Sequence, residues 1–84
     1  MASNFQKKVI KEMKSKGFTV LKIIRLNENA YPDLLCIKKG EPDHWIECKE
    51  GKDYLKPLQA KRIDELRELD KIAYCIHNEQ GIIY

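Results

Sequence analysis

Three ionisable residues, Asp33, Glu47 and Lys49, stand in this 84-residue chain where the surrounding pattern favours apolar ones. Glu47 and Lys49 lie two apart in a β-rich segment, so both side chains leave the same face of a strand. Trp45 shares that face, which implies partial cover from water. Asp33 opens an earlier β-rich segment, just after Pro32 has set the chain direction. If the two segments pair, Asp33 and Glu47 converge at one end of a sheet. Two half-buried carboxylates repel each other unless a cation lies between them. Mg²⁺ (or Mn²⁺) suits such a site, because Mg²⁺ takes one or two protein carboxylates and completes its shell with water and phosphate oxygens. The chemistry that follows is phosphodiester hydrolysis, with a metal-activated water and neutralised charge on the phosphorane. Lys49 would orient the attacking water or stabilise the transition-state charge. The backbone carbonyl of Cys48 is a further candidate ligand.

A Glu-x-Lys pair alone is common on strands and usually reads as a surface ion pair, with Asp33 a turn residue. The addition of Pro32-Asp33 upstream, across a hairpin turn, favours the site. Two glutamines support it. At about 100° per residue, Gln6 falls near the middle of the first helix's apolar face, and Gln59 does the same in the second. Buried amides need partners. Both are expected to be mostly buried and turned toward the catalytic end of the sheet, or else to cap nearby backbone groups.

The elements that must position these residues follow from periodicity. Residues 5–16 read as a helix through Phe5, Val9, Ile10 and Met13, with Ser3 or Asn4 as cap and Gly17 as stop. Residues 18–26 read as a strand and 27–32 as an Asn-rich loop. Residues 34–38 and 44–49 read as a hairpin around Pro42. A loop over 51–56 leads to Pro57, which suits the first turn of a second helix. That helix runs to about Leu69, with Leu58, Ile63, Leu66 and Leu69 expected to face inward. Residues 72–77 form a further strand and 82–84 a short fifth one. The expected fold is one α/β domain over residues 1–84, a small mixed sheet flanked by helices in the order αβββαβ.

Composition narrows the class. The chain is 43% hydrophobic and 35% charged, with no apolar run near the ~20 residues that a membrane span needs. Cys36, Cys48 and Cys75 lack metal-knuckle or redox spacing and read as reduced core thiols in a cytoplasmic protein. The net charge of +3 is a weak sign of nucleic acid by itself. Its distribution says more: Lys7, Lys8, Lys11, Lys14 and Lys16 crowd the first helix, a pattern that a plain solvated face would also give. Lys7, Lys8, Lys11, Lys52 and Lys56 are the candidate DNA contacts. No base-reading helix or zinc finger is apparent, so DNA shape and backbone rather than sequence would be recognised.

Tyr31-Pro32-Asp33 with Glu47-Cys48-Lys49 resembles the Pro-Asp…(Asp/Glu)-x-Lys signature of the restriction-endonuclease-like nucleases. Lys56-Pro57-Leu58-Gln59, and residues 5–10 ahead of the motif, are similar to the virus-type replication-repair nuclease (VRR-NUC) branch. The resemblance spans about residues 5–76. It implies a restriction-endonuclease-like core, a divalent metal on Asp33 and Glu47, Lys49 as catalytic lysine and Gln59 as the motif glutamine. It further implies cleavage of branched DNA, and stand-alone phage-type members resemble archaeal Holliday-junction resolvases expected to act as homodimers. A phage-encoded member would work in the host cytoplasm. Two departures stand out. Gln6 occupies the place where resolvases of this superfamily usually carry a glutamate, and Tyr31 stands where glycine is frequent. The competing readings are a non-catalytic DNA-binding module on a nuclease fold and a small structural α/β domain.

Overall fold

The computed structural model describes residues 3–84. The first helix, α1 (Asn4–Ser15), starts where the Ser3 hydroxyl oxygen accepts the Gln6 N–H at 3.0 Å. It ends in paired bonds from Gly17 N–H to the Lys14 carbonyl and from Phe18 N–H to the Met13 carbonyl. Gly17 closes that turn at φ +93°, in the left-handed region that glycine enters without a Cβ penalty. A short turn then sends β1 (Thr19–Lys22) back along the helix. The strands β2 (Leu34–Ile37), β3 (His44–Lys49), β4 (Ile72–His77) and β5 (Gly81–Ile82) complete a five-stranded sheet in the order β1-β2-β3-β4-β5. The second helix, α2 (Pro57–Glu68), connects β3 to β4, which pair in parallel, whereas all other neighbours are antiparallel.

Each helix covers one face. Val9 and Met13 of α1 pack with Leu34, Cys36 and Ile46, while Ile63 and Leu66 of α2 pack with Ala73 and Cys75. Because strand side chains alternate, β3 sends Ile46 and Cys48 to the α1 face and Trp45, Glu47 and Lys49 to the α2 face. The helix N-termini share one end of the sheet with the last residues of β3 and the first of β2. This follows because α1 runs back along β1, and α2 lies in a crossover between parallel strands.

Three expectations are corrected. The first strand stops at Lys22 rather than Leu26, with one more bond from Ile23 N–H to the Asp33 carbonyl. Pro32 has no N–H to continue the ladder, and Ile24 is left exposed. Leu58 and Leu69 do not face inward; they are 43% and 68% exposed. At about 100° per residue they sit more than a quarter-turn from Ile63, so the buried stripe of α2 is Ile63 and Leu66. Gln6 and Gln59 are half-buried rather than buried. No described helix is long and apolar enough to cross a membrane.

The end of α2 repeats the closing bonds of α1, from Asp70 N–H to the Arg67 carbonyl and from Lys71 N–H to the Leu66 carbonyl. Here the left-handed position holds Asp70 at φ +63°, where a side chain is strained and an acid opposes the helix dipole. Asp70→Gly is therefore expected to stabilise the protein by about 0.5–1 kcal/mol. In thermal unfolding this is a rise of a few degrees; an unchanged or lower Tm would show that the strain is relieved some other way.

Candidate active site

Asp33 reaches its place through a braced loop. Pro32 is fully buried, and Tyr31 lies between the Trp45 ring, 6.2 Å away, and the Arg62 guanidinium, 5.1 Å from its centre. Arg62 also donates from Nε to the Asn29 carbonyl at 2.9 Å, tying the loop to α2. The β2–β3 register pairs Leu34 with Ile46, and one step further it sets Asp33 opposite Glu47 on the α2 face. Asp33 Oδ2 accepts the Cys48 N–H at 3.2 Å. Backbone groups point to alternate sides along a strand. The Lys49 carbonyl accepts Asn78 N–H beyond β4, so the Cys48 carbonyl faces the other way, toward Asp33.

Glu47 and Lys49 are 4% and 5% exposed, and Lys49 Nζ lies 3.6 Å from Glu47 Oε2. The same ammonium is 3.5 Å from Asp53 Oδ2, in the loop after β3. Glu47 Oε1 is buried with no hydrogen-bond partner. Burial, and then the charge of Asp33, push the Glu47 carboxyl up to about 7. Burial also raises Asp33, opposed by the Cys48 N–H and by Lys49. The Cys48 thiol is pushed up to about 12 by burial and the neighbouring acids, so it stays protonated.

The oxygen donors thus gathered are the two carboxylates and the Cys48 carbonyl. Among the described residues no group of three or more His, Cys, Asp or Glu forms a metal cage. A hard cation that keeps several waters fits this sparse set; a fully protein-ligated zinc does not. The orphaned Glu47 oxygen is an acceptor still open to a donor or a cation, and buried acceptors are rarely left unpaired.

The other candidates are placed less centrally. Gln59 sits in the first turn of α2, where its Oε1 accepts the Lys56 N–H at 2.9 Å. It therefore caps the helix, and only its NH₂ is free to face a ligand. Gln6 lies on the α1 face, opposite Glu47 and Lys49, though at the same end of the sheet. Lys7, Lys8 and Lys11 are exposed along α1, and Lys52 and Lys56 are exposed on the β3–α2 loop, where Lys56 Nζ is 3.6 Å from Asp53. Sequence reasoning missed Asp53 and Arg62, and also Lys22, whose charge acts on Asp33. Lys22 is brought there by the β1–β2 register. None of the three carries a periodic signal: Asp53 lies in a loop, and Arg62 and Lys22 act on a distant segment.

No protein-family model and no curated protein sequence matches the chain. Solved structures do. A structure described as a VRR_NUC domain aligns over 83% of this chain and 76% of its own, with a TM-score of 0.73 at 21% identity. Hjc, a Holliday junction resolvase from the archaeal hyperthermophile Archaeoglobus fulgidus, aligns over 90% of this chain and 66% of its own. That match has a TM-score of 0.69 at 20% identity. The chain thus has a restriction-endonuclease-like fold of the VRR-NUC kind, and it spans about two thirds of the resolvase's length.

The raised carboxyl has a consequence for stability. Between about 4.5, the ordinary value, and about 7, the folded protein holds a proton that the unfolded chain has lost. Stability therefore falls as pH rises through that window and stays low above it. The whole effect is on the order of 3 kcal/mol. Glu47→Gln should raise the Tm of metal-free protein at about pH 8 and leave it little changed near pH 4. Equal effects at both pH values would remove Glu47 as the source.

Proposed function

We propose that this VRR-NUC-like fold is a divalent-metal-dependent endodeoxyribonuclease that cuts branched DNA as a homodimer, with four-way junctions as the favoured substrate. The observation that carries this reading is the buried, unpartnered Glu47 oxygen beside Asp33, with the Lys49 ammonium alongside. Asp33, Glu47 and the Cys48 carbonyl are the metal ligands, for Mg²⁺ or Mn²⁺. When bound, the ion supplies an activated water and neutralises charge on the scissile phosphate. Lys49 presents its ammonium to the attacking oxygen or the phosphate, in a site dry enough to strengthen that contact. The Gln59 NH₂ group, at the N-terminus of α2, donates to a phosphate oxygen, while Gln6 supports the same end of the sheet from the other face.

DNA would be held by its backbone. Lys7, Lys8 and Lys11 on α1 and Lys52 and Lys56 beside the site form the phosphate contacts, joined by Lys22. A domain of this size offers little surface to a duplex and little core for its own stability. A two-fold dimer supplies both and matches the symmetry of a junction, with one site per cut strand. Leu21, Ile24, Ile82 and Tyr84 are exposed apolar residues suited to such an interface. The Hjc resolvase supports the junction as substrate through its likeness in fold.

Cleavage of a labelled four-way junction is expected with Mg²⁺ or Mn²⁺ and none with chelator. Asp33→Ala and Glu47→Ala should keep the fold and lose cleavage by about 10²-fold or more, the scale for losing one group that stabilises developing charge. Binding should weaken steeply with salt, as phosphate contacts do. Full activity of Asp33→Ala would end the assignment. DNA binding without cleavage in any metal would make the chain a binding module. Sedimentation should show a dimer; a monomer with undiminished junction cleavage would remove the dimer, and equal cutting of linear duplex would remove the structural preference.

A further inference from the structure

The least exposed ionisable side chain among the buried polar residues is His77, at 2%, and the hydrolytic chemistry makes no use of it. It ends β4, directly beside Lys49 in the parallel register. Its Nε2 lies 2.8 Å from the Gly51 carbonyl. Its Nδ1 accepts the Glu79 N–H at 3.2 Å and the Gln80 N–H at 3.4 Å. Two N–H donors at Nδ1 require a lone pair there, so the proton is on Nε2 and is donated to Gly51. The Tyr54 ring stacks on the imidazole, with centroids 4.8 Å apart and planes 8° from parallel.

The rest of the β4–β5 turn holds the same loop. Asn78 N–H donates to the Lys49 carbonyl, Asn78 Oδ1 accepts the Gly51 N–H at 3.2 Å, and Gln80 Nε2 donates to the Tyr54 hydroxyl at 2.9 Å. Within residues 50–56 the only internal backbone bond recorded runs from Asp53 N–H to the Glu50 carbonyl. The loop has almost no structure of its own, and its shape is set from outside. Asp53 is the residue this shape delivers, 3.5 Å from Lys49 Nζ.

We propose that His77 is a positioning residue for Lys49: with Asn78 and Gln80 it clamps the β3–α2 loop, so that Asp53 shares the lysine ammonium with Glu47. The sharing has a chemical purpose. A lysine paired with Glu47 alone would be drawn onto a carboxylate needed as a metal ligand. Asp53 pulls from the other side and leaves the ammonium between the two acids. This proposal rests on the nuclease reading of Lys49 and deepens it.

The test separates the two halves of the imidazole. His77→Gln keeps a donor near the Nε2 position, and His77→Asn keeps an acceptor near Nδ1 but cannot reach Gly51. Amide hydrogen exchange, which needs no activity, is measured at residues 50–56 in both variants. Exchange there should be faster in His77→Asn and restored toward wild type in His77→Gln, with the β4–β5 turn protected in His77→Asn. In junction cleavage, kcat of His77→Asn should fall about 10- to 100-fold, the scale of a roughly 1 Å misplacement. The KM for DNA should change less than kcat, because Lys52 and Lys56 move with the loop while Lys7, Lys8, Lys11 and Lys22 keep their phosphate contacts. Asp53→Asn should show a similar loss, and the double variant should be no worse than the poorer single one. Should a substitution at the buried ring unfold the protein, Asn78→Ala and Gln80→Ala remove two clamp bonds from exposed positions and carry the same expectation. Unchanged loop exchange, additive losses, or a KM effect with intact kcat would overturn the clamp. A wild-type protein that cuts no DNA would overturn the nuclease reading, and the exchange comparison would still decide whether His77 holds the loop.

Discussion

A carboxylate held out of water with one oxygen unpaired is the constraint around which this small protein is organised. Glu47 is nearly inaccessible, and its Oε1 meets no donor. An unsatisfied buried polar group costs about 1–3 kcal/mol, a large share of the ~5–15 kcal/mol that stabilises a whole domain. The protein offsets part of that cost with Lys49, itself buried and shared with Asp53. An arrangement chosen for stability alone would replace the cluster with packed apolar residues. The cluster is therefore not accounted for by stability, which is the physical ground for the functional reading proposed for this end of the sheet.

The two faces of the sheet divide the labour. The α1 face is an apolar core of Val9, Met13, Leu34, Cys36 and Ile46. The α2 face begins as a core at Ala73, Cys75, Ile63 and Leu66 and becomes polar toward the end of β3 and β4. The parallel β3–β4 pair makes this gradient feasible, because Glu47, Lys49 and His77 stand on one face of adjacent central strands while the other face stays dry. Two flanking loops then finish the site. Arg62 and Trp45 hold the loop before Asp33, and His77 and its turn hold the loop after Lys49.

What could be read from the sequence was whatever depends on near neighbours along the chain. Alternation put Glu47 and Lys49 on one face; Pro32 and the Pro42 turn located the hairpin that sets Asp33 opposite Glu47; and helical spacing found both helices to within a residue or two. Mixed-sheet architecture followed from the order of those elements. Tertiary structure decided everything that depends on which distant segments meet. It ended β1 at Lys22, because a strand lasts only as long as its partner can donate. It turned Leu58 and Leu69 outward, because α2 touches the sheet along one narrow stripe. It set Gln6 on the opposite face from the acids, whereas the capping role of Gln59 is a local bond to Lys56 that the sequence already allows as an alternative. It also brought Asp53, Arg62 and His77 to the site through loops and a parallel pairing whose contacts leave no periodic trace in the sequence.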